Sequence, residues 1–316
     1  MHFYICPMLC RLVFVLSLIC ACGMALGQGQ DSLKIGDGDR AAIVETEHED
    51  EIVEFRRKFL IRFLCNYNFV SFWSSEFDGG ALKSNRPVDV GLGLGYGDFY
   101  WDFIYALPFT SNNKSSKSIS FETGFDFFPG NWWVKGVYRS YSGFSTDVGD
   151  SSLYVDLWER DVYVSALWLG TSNGEFSPRA AFFLDRRQRH SAGSLILGGR
   201  IQGTKTKDKD EFFPYYQEPK EIFSSWVDMG YTYTWVFDNK AFLNLWGVAG
   251  VAVGGDTEED DYMLLPEIIG KLAFGYIGEI WSWNNVLETE YMPVIFDSHW
   301  EQKLVCAYKI LIVRRF

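Results

Sequence analysis

The chain has 316 residues, 47% of them hydrophobic and 18% aromatic, with 30 glycines and 41 acidic against 29 basic side chains for a net charge of −12. So large an apolar and aromatic content excludes a disordered chain, and the acidic balance argues against a nucleic-acid binder. Mean hydropathy is only −0.06, and beyond the N-terminus no run reaches the roughly 18 apolar residues of a membrane helix.

Residues 1–27 read as a secretory signal peptide. Arg11 is its charged residue, Leu12–Ile19 is an apolar core, and Ala25-Leu26-Gly27 offers small residues for cleavage before Gln28. Ile19-Cys20-Ala21-Cys22 also imitates a lipoprotein box, which would place a lipid on Cys22, so both alternatives stand. Without the signal, only Cys65 and Cys306 remain. Two cysteines make neither a disulfide scaffold nor a four-ligand zinc site. Residues 28–57, with Glu45, Glu47, Glu49, Asp50, Glu51 and Glu54, read as a polar, acidic periplasmic leader.

After Lys58, segments with period-2 alternation follow one another between turn residues. Phe99, Trp101, Phe103 and Tyr105 share a face opposite Asp102, although Tyr100 and Ile104 blur the second face. Ile119, Phe121, Thr123, Phe125 and Phe127 oppose Ser118, Ser120, Glu122, Gly124 and Asp126. Trp132, Val134 and Tyr138 oppose Lys135 and Arg139, and Val227, Met229, Tyr231, Tyr233 and Trp235 oppose Asp228, Gly230, Thr232 and Thr234. A helix would scatter these sets, whereas a strand puts each on one face. A soluble sandwich would turn the aromatic faces inward. A membrane barrel lays them on lipid and lines its interior with small and charged residues, and the glycine-rich, mixed-charge faces fit the barrel.

The expected strands are 58–73, 88–96, 98–107, 118–128, 131–142, 153–170, 176–185, 191–202, 223–236, 241–253, 264–280, 284–296 and 300–316. Thirteen is odd, and a single-chain barrel with both ends in the periplasm needs an even number. The conflict lies between 142 and 222. The expectation is therefore an all-β, closed antiparallel up-and-down transmembrane β-barrel of 12 strands, with 14 as second choice. Tight turns at Tyr96-Gly97-Asp98, Pro129-Gly130-Asn131 and Asp238-Asn239-Lys240 alternate with long polar stretches at 74–87, 108–117, 142–152, 203–222 and 254–263. Tyr308, Ile310, Ile312 and Phe316 form one lipid-facing row like the C-terminal signal for barrel assembly. Closure sets 58–73 antiparallel to 300–316. Cys65 and Cys306 then face lipid, either as neighbours across that seam or as two separate thiols.

The stretch Phe176-Ser177-Pro-Arg-Ala-Ala-Phe-Phe-Leu-Asp-Arg186-Arg-Gln188-Arg-His-Ser191-Ala192-Gly193-Ser194-Leu-Ile-Leu-Gly198-Gly199 resembles part of an uncharacterised outer-membrane protein family, the domain of unknown function numbered four-four-two-one. Arg86-Pro-Val-Asp-Val-Gly91-Leu-Gly-Leu-Gly-Tyr96 and Tyr138-Arg-Ser-Tyr141-Ser-Gly143-Phe fit the same pattern in the same order. The resemblance spans about 58–316 and implies a barrel in the outer membrane, with no reaction and no catalytic residues. Pro178-Arg179 departs from the strand-forming pair expected there and predicts a kinked or edge strand.

Little points to catalysis. His190 and Ser191 are strand neighbours whose side chains diverge, so they cannot pair as base and nucleophile. Ser298-His299 lie in a short connection whose side-chain directions the sequence does not set. Glu288 and Glu290 share an inner face and invite an acid–base reading. The plainer reading is a lumen ladder in which Lys135, Arg139, Lys271, Lys303 and Lys309 neutralise Asp102, Glu122, Asp126, Glu279, Glu288 and Glu290. Asp256, Glu258, Glu259, Asp260 and Asp261 lack the spacing of a calcium loop and read as solvated. No enzyme activity, metal or cofactor is therefore expected. The expected partners are the bilayer and outer-membrane lipids, and the assembly machinery through the C-terminal strand. The expected function is a narrow channel, small-solute transporter or surface component. The alternatives are a filled structural barrel displaying loops and a lipid-modifying enzyme.

Overall fold

The computed structural model describes residues 51–74, 82–111, 118–148, 151–170, 175–209, 219–237, 240–256, 262–295 and 300–316. The expected signal peptide, the expected leader up to Asp50, Ser298-His299 and the acidic run after Asp256 lie outside the described residues. The elements in chain order are β1 (Ile52–Glu54), β2 (Phe59–Ser74), β3 (Leu82–Ser84), β4 (Val88–Tyr96), β5 (Phe99–Ala106), β6 (Ile119–Phe127), β7 (Trp132–Val148), β8 (Ser151–Leu169), α1 (Pro178–Phe182), β9 (Arg186–Gln188), β10 (Ala192–Asp208), β11 (Lys220–Phe237), β12 (Ala241–Asp256), β13 (Tyr262–Ile277), β14 (Trp281–Ile295) and β15 (Trp300–Arg315).

Twelve of the strands form one closed antiparallel ring, β2-β4-β5-β6-β7-β8-β10-β11-β12-β13-β14-β15. The seam closes from Glu301↔Ser74 to Arg315↔Leu60, so first and last strands pair as expected. Both ends of the ring lie at one mouth, where the Phe316 amide donates to Phe59 O at 2.9 Å. That mouth is the terminal end. The chain turns there sharply at Gly97 (φ +60°) and Gly130 (φ +63°), a backbone region that costs glycine nothing.

The ring is not uniform in height. β4, β5 and β6 have nine, eight and nine residues. Above them, at the far end, β3 bridges the longer β2 and β7 through Ser71↔Lys83 and Ser84↔Phe144. β7 bulges at Gly143 (φ +91°) to receive it. The Tyr141 hydroxyl holds the junction, 2.5 Å from Ser84 Oγ and 3.0 Å from Gly143 O.

Period-2 alternation decides what faces where. The outward rows keep large apolar side chains uncovered, among them Leu92, Phe103, Tyr231 and Leu264, and Val227 at 69% exposure. A soluble protein buries such a surface, while a membrane barrel presents it to lipid.

Three expectations need correction, and one open alternative is decided. Residues 176–185 are not a strand: Pro178 starts a short helix instead, and removing that segment turns thirteen strands into twelve. Pro fits the first helical turn, where its missing N–H has no partner to lose. The stretches 142–152 and 203–222 are shorter as connections than expected, because β7 runs to Val148 and β10 to Asp208. Glu279 lies exposed in the turn between β13 and β14 and does not line the lumen. Finally, Cys65 pairs in register with Ile310 and Cys306 with Phe69, so the two outward thiols sit four residues apart along the seam and are not neighbours.

Candidate functional site

Between β8 and β10 the chain folds into the terminal mouth before turning back. Ala180 and Ala181 are small enough to bring α1 against the inner wall at β12, β13 and β14, and both are buried. Phe183 meets Phe128 at 5.0 Å and Trp133 at 5.6 Å edge-on, and Tyr100 at 4.7 Å in a tilted arrangement, between ring centroids. Phe182 stacks on Trp133 at 6.2 Å and meets Trp246 edge-on at 5.7 Å. Leu60, Ile277, Leu311 and Val313, inward residues of the terminal end, complete this apolar core. The barrel is therefore stoppered there by its own chain. Leu184 leaves the helix at φ 60°, a left-handed turn uncommon for leucine, and is wholly buried.

Polar clamps hold this plug. Arg179, 5% exposed, donates to Gly97 O at 2.6 Å and Tyr100 Oη at 2.8 Å and pairs with Asp98 and Asp185. Arg315 donates to the Leu184 carbonyl, to Gly278 O at 2.6 Å and to Ser282 Oγ at 2.9 Å, and its guanidinium lies 3.9 Å from the Phe55 ring centroid. Asn284 Nδ2 donates to Ala181 O at 2.6 Å.

The segment before the barrel is part of the same assembly. β1 pairs with β9 through Ile52↔Gln188, Val53↔Arg187 and Glu54↔Arg186. Arg186 lies 3.2 Å from Glu54, and His190 Nδ1 lies 2.6 Å from Glu51 Oε2. The hydrogen bond from Lys58, with help from the charge of Arg186, holds the Glu54 carboxyl below its ordinary range. A cavity of about 30 Å³, room for water and little more, lies at this mouth among Lys58, Asp98, Arg179, Asp185 and Arg186.

Above the plug the lumen is charged. Arg62 pairs with Asp102 at 3.0 Å, Arg139 with Glu122 at 2.9 Å, Lys303 with Glu159 at 2.5 Å and Arg200 with Glu267 at 2.6 Å. Lys271 at 2.8 Å and Lys309 at 2.6 Å share Glu288. Trp133 Nε1 donates to Asp126 Oδ1 at 2.7 Å, and Lys135 stands opposite Asp126 in register. Glu290 lies two residues from Glu288 on the same inner face of β14. Ten of the eleven expected lumen charges thus face inward, Glu279 being the exception. The belt rests on the plug: Lys271 Nζ is 5.9 Å from the Phe182 ring centroid and the Arg62 guanidinium 4.8 Å from that of Phe183. The belt is less tightly enclosed than the plug: the inward side chains of Arg139 and Lys309 each keep 35% exposure.

Sequence reasoning passed over Arg62, Glu159, Arg200 and Glu267. Their signal was available, since Arg62 alternates with Ile61 and Phe63, and Arg200 with Gly199 and Ile201. The plug itself was missed because its apolar run carries no period-2 pattern.

The motif residues now have places. Phe176 and Ser177 enter the plug, Arg186 pairs with Glu54, and Gln188 is buried with its Nε2 donating to His190 O at 2.7 Å. Ser191 Oγ accepts the Val236 amide at 3.0 Å, and Ala192, Gly193 and Ser194 begin β10. Gly198 allows close strand approach, since a Cβ there would lie 2.3 Å from Ala166 O, while Gly199 faces outward. On β4, a Cβ at Gly93 would lie 1.9 Å from Asp102 Oδ1 and one at Gly95 2.7 Å from the Tyr100 ring. These glycines make room for the Arg62–Asp102 pair and for the tyrosine that anchors the plug. Phe316 shares the outer row with Tyr308, Ile310 and Ile312, its ring 6.0 Å from that of Phe59.

A closed ring of twelve strands with an apolar outer wall and a charged interior is a transmembrane β-barrel of the outer-membrane kind. The chain belongs to the family described as Domain of unknown function (DUF4421), whose model matches residues 52–291. No curated protein matches it. Among solved structures it is similar to the translocator domain of the autotransporter NalP from Neisseria meningitidis, at 12% identity over 82% of this chain and 88% of that one, with a TM-score of 0.44. It is also similar to an outer membrane channel from Pseudomonas putida F1, at 10% identity over 90% and 100% with a TM-score of 0.37. A loop-deletion mutant of the outer membrane protein OmpT of Vibrio cholerae matches at 9% identity over 80% and 99%, with a TM-score of 0.33. At such identities and scores the likeness says nothing of role.

Proposed function

We propose that this protein sits in an outer membrane, terminal end toward the periplasm, as a conduit for small polar solutes that its own plug keeps shut. One observation carries the reading: a partly accessible, ion-paired lumen ends on a buried apolar plug that a separate segment, α1 with β9, inserts into the ring. A barrel filled only for stability would gain from apolar side chains, because buried ion pairs seldom repay their desolvation. Hydrated pairs suit the passage of polar molecules. The outward aromatic rows and the even ring with both ends at one mouth support the placement. No catalytic role is part of the proposal.

Planar-bilayer conductance tests it. The intact barrel should be nearly silent, and replacing residues 176–187 with a short Gly-Ser linker should produce a steady conductance. A silent deletion variant whose barrel is intact would favour the filled, structural alternative.

A further inference from the structure

The outer wall carries a feature that neither the lumen nor the plug explains. On β8 the outward row runs Trp168, Ala166, Val164, Val162 and then reaches Arg160; on β10 it runs Leu197, Gly199, Ile201, Gly203 and then reaches Lys205 and Lys207. Val162, Val164 and Ile201 are more than half exposed, as lipid-facing residues must be. The charges therefore begin at one level, where the apolar belt ends on the far side. Arg160 and Lys205 are directly opposite in register, and Lys207 faces Trp158. Like charges placed directly across two strands repel each other, so the wall holds them together at a cost.

Local carboxylates neutralise only part of this cluster. Glu221 on β11 pairs with Lys205, and Asp156 lies 3.4 Å from Lys209. Arg160 and Lys207 have no carboxylate within ion-pair distance among the described residues. The Arg160 guanidinium lies 4.9 Å from the Trp158 ring centroid, which fixes it over the interface. Directly below, Gly203 carries no side chain on the outward row. A Cβ built at Gly203 would meet nothing within 4 Å, and Val162 stands beside it in register. Elsewhere on the outer wall Arg314 stands at the terminal end, its guanidinium 4.8 Å from the Phe316 ring centroid.

We propose that Arg160, Lys205 and Lys207 form a binding site for the phosphates of an anionic glycolipid in the outer leaflet, with its acyl chains laid along Val162, Gly203 and Ile201. Basic side chains at a membrane boundary recognise anionic headgroups by charge, and a guanidinium can grip a phosphate with two parallel hydrogen bonds. A bridging phosphate also removes the Arg160–Lys205 repulsion. The site rests on the membrane placement proposed above and is independent of the plug.

The test uses the full-length barrel in phosphatidylcholine nanodiscs, with native mass spectrometry reading the lipid retained. The probes are diphosphoryl lipid A, the same lipid dephosphorylated, and inorganic phosphate as competitor. Diphosphoryl lipid A should bind the wild type, with the dephosphorylated form at least about tenfold weaker. R160Q/K207Q, and to a lesser degree K207Q alone, should lose that preference, while R314Q should keep it. Equal binding of both lipids, an unchanged preference in R160Q/K207Q, or displacement by micromolar inorganic phosphate would overturn the site. A chain that never enters the nanodisc would overturn the membrane placement instead, which keeps the two failures apart.

Discussion

Replacing Arg179 with alanine should undock the plug while leaving the barrel wall intact. Arg179 is 5% exposed, and its guanidinium joins Asp185, Asp98, Tyr100 and the Gly97 carbonyl in one network. Without it, buried Asp185 keeps one ion-pair partner among the described residues, Arg186 Nε at 3.7 Å. Removing one partner of a buried ion pair costs about 3–5 kcal/mol, and the lower end applies here because Arg186 remains. About 3 kcal/mol shifts the docked fraction by roughly a hundredfold. Trypsin added at the terminal side should then cut at Arg186 and Arg187, which β1 shields in the wild type by pairing with β9. Conductance should rise in parallel. Arg179→Lys should rescue poorly, since an ammonium cannot reproduce the planar fork. Unchanged cleavage and conductance in Arg179→Ala would show that the plug is held by its apolar core alone.

The second large effect is expected on the wall. Phe125 lies on the outward row of β6, its ring 6.1 Å from that of Phe99. Arginine in its place puts a charge against lipid, at a cost of about 2–4 kcal/mol near the midplane. The next residue, Asp126, points the other way and accepts from Trp133 Nε1 at 2.7 Å. Asparagine keeps that acceptor, so Asp126→Asn should cost no more than about 1 kcal/mol. Urea titration of the protein folded in vesicles, followed by the gel shift between boiled and unboiled samples, measures both. Equal costs for the two substitutions would contradict the assignment of faces.

What the sequence disclosed follows from the period of each segment. β6, β7 and β11 alternate cleanly, so their faces, the inward Glu122, Asp126, Lys135 and Arg139, and the outward Phe125 were readable residue by residue. Closure followed from the barrel reading itself, in which the first strand pairs with the last, as β2 and β15 do. The plug was hidden. Ala180-Ala181-Phe182-Phe183-Leu184 is a short apolar run, which periodicity alone cannot assign to strand or buried helix. Pro178, which seemed to interrupt a strand, was the surviving sign of a helix start. Glu279 was misplaced because the last residues of a strand and the first of a turn look alike in alternation. The depth of Cys65 against Cys306 was beyond reach for another reason: the stagger of a closed ring accumulates around all its strands, and no single strand encodes it.

Amide hydrogen exchange of the full-length protein in lipid nanodiscs tests the plugged barrel most directly, read on peptides covering 176–188. The Ala180 amide donates to Ser177 O at 3.2 Å, Phe183 to Arg179 O at 3.0 Å and Leu184 to Arg179 O at 2.7 Å, all within the dry core. The plug predicts that these amides exchange as slowly as those of the neighbouring strands β12 and β13. Exchange as fast as in an unstructured peptide of the same sequence would contradict it and leave the terminal mouth without a stopper.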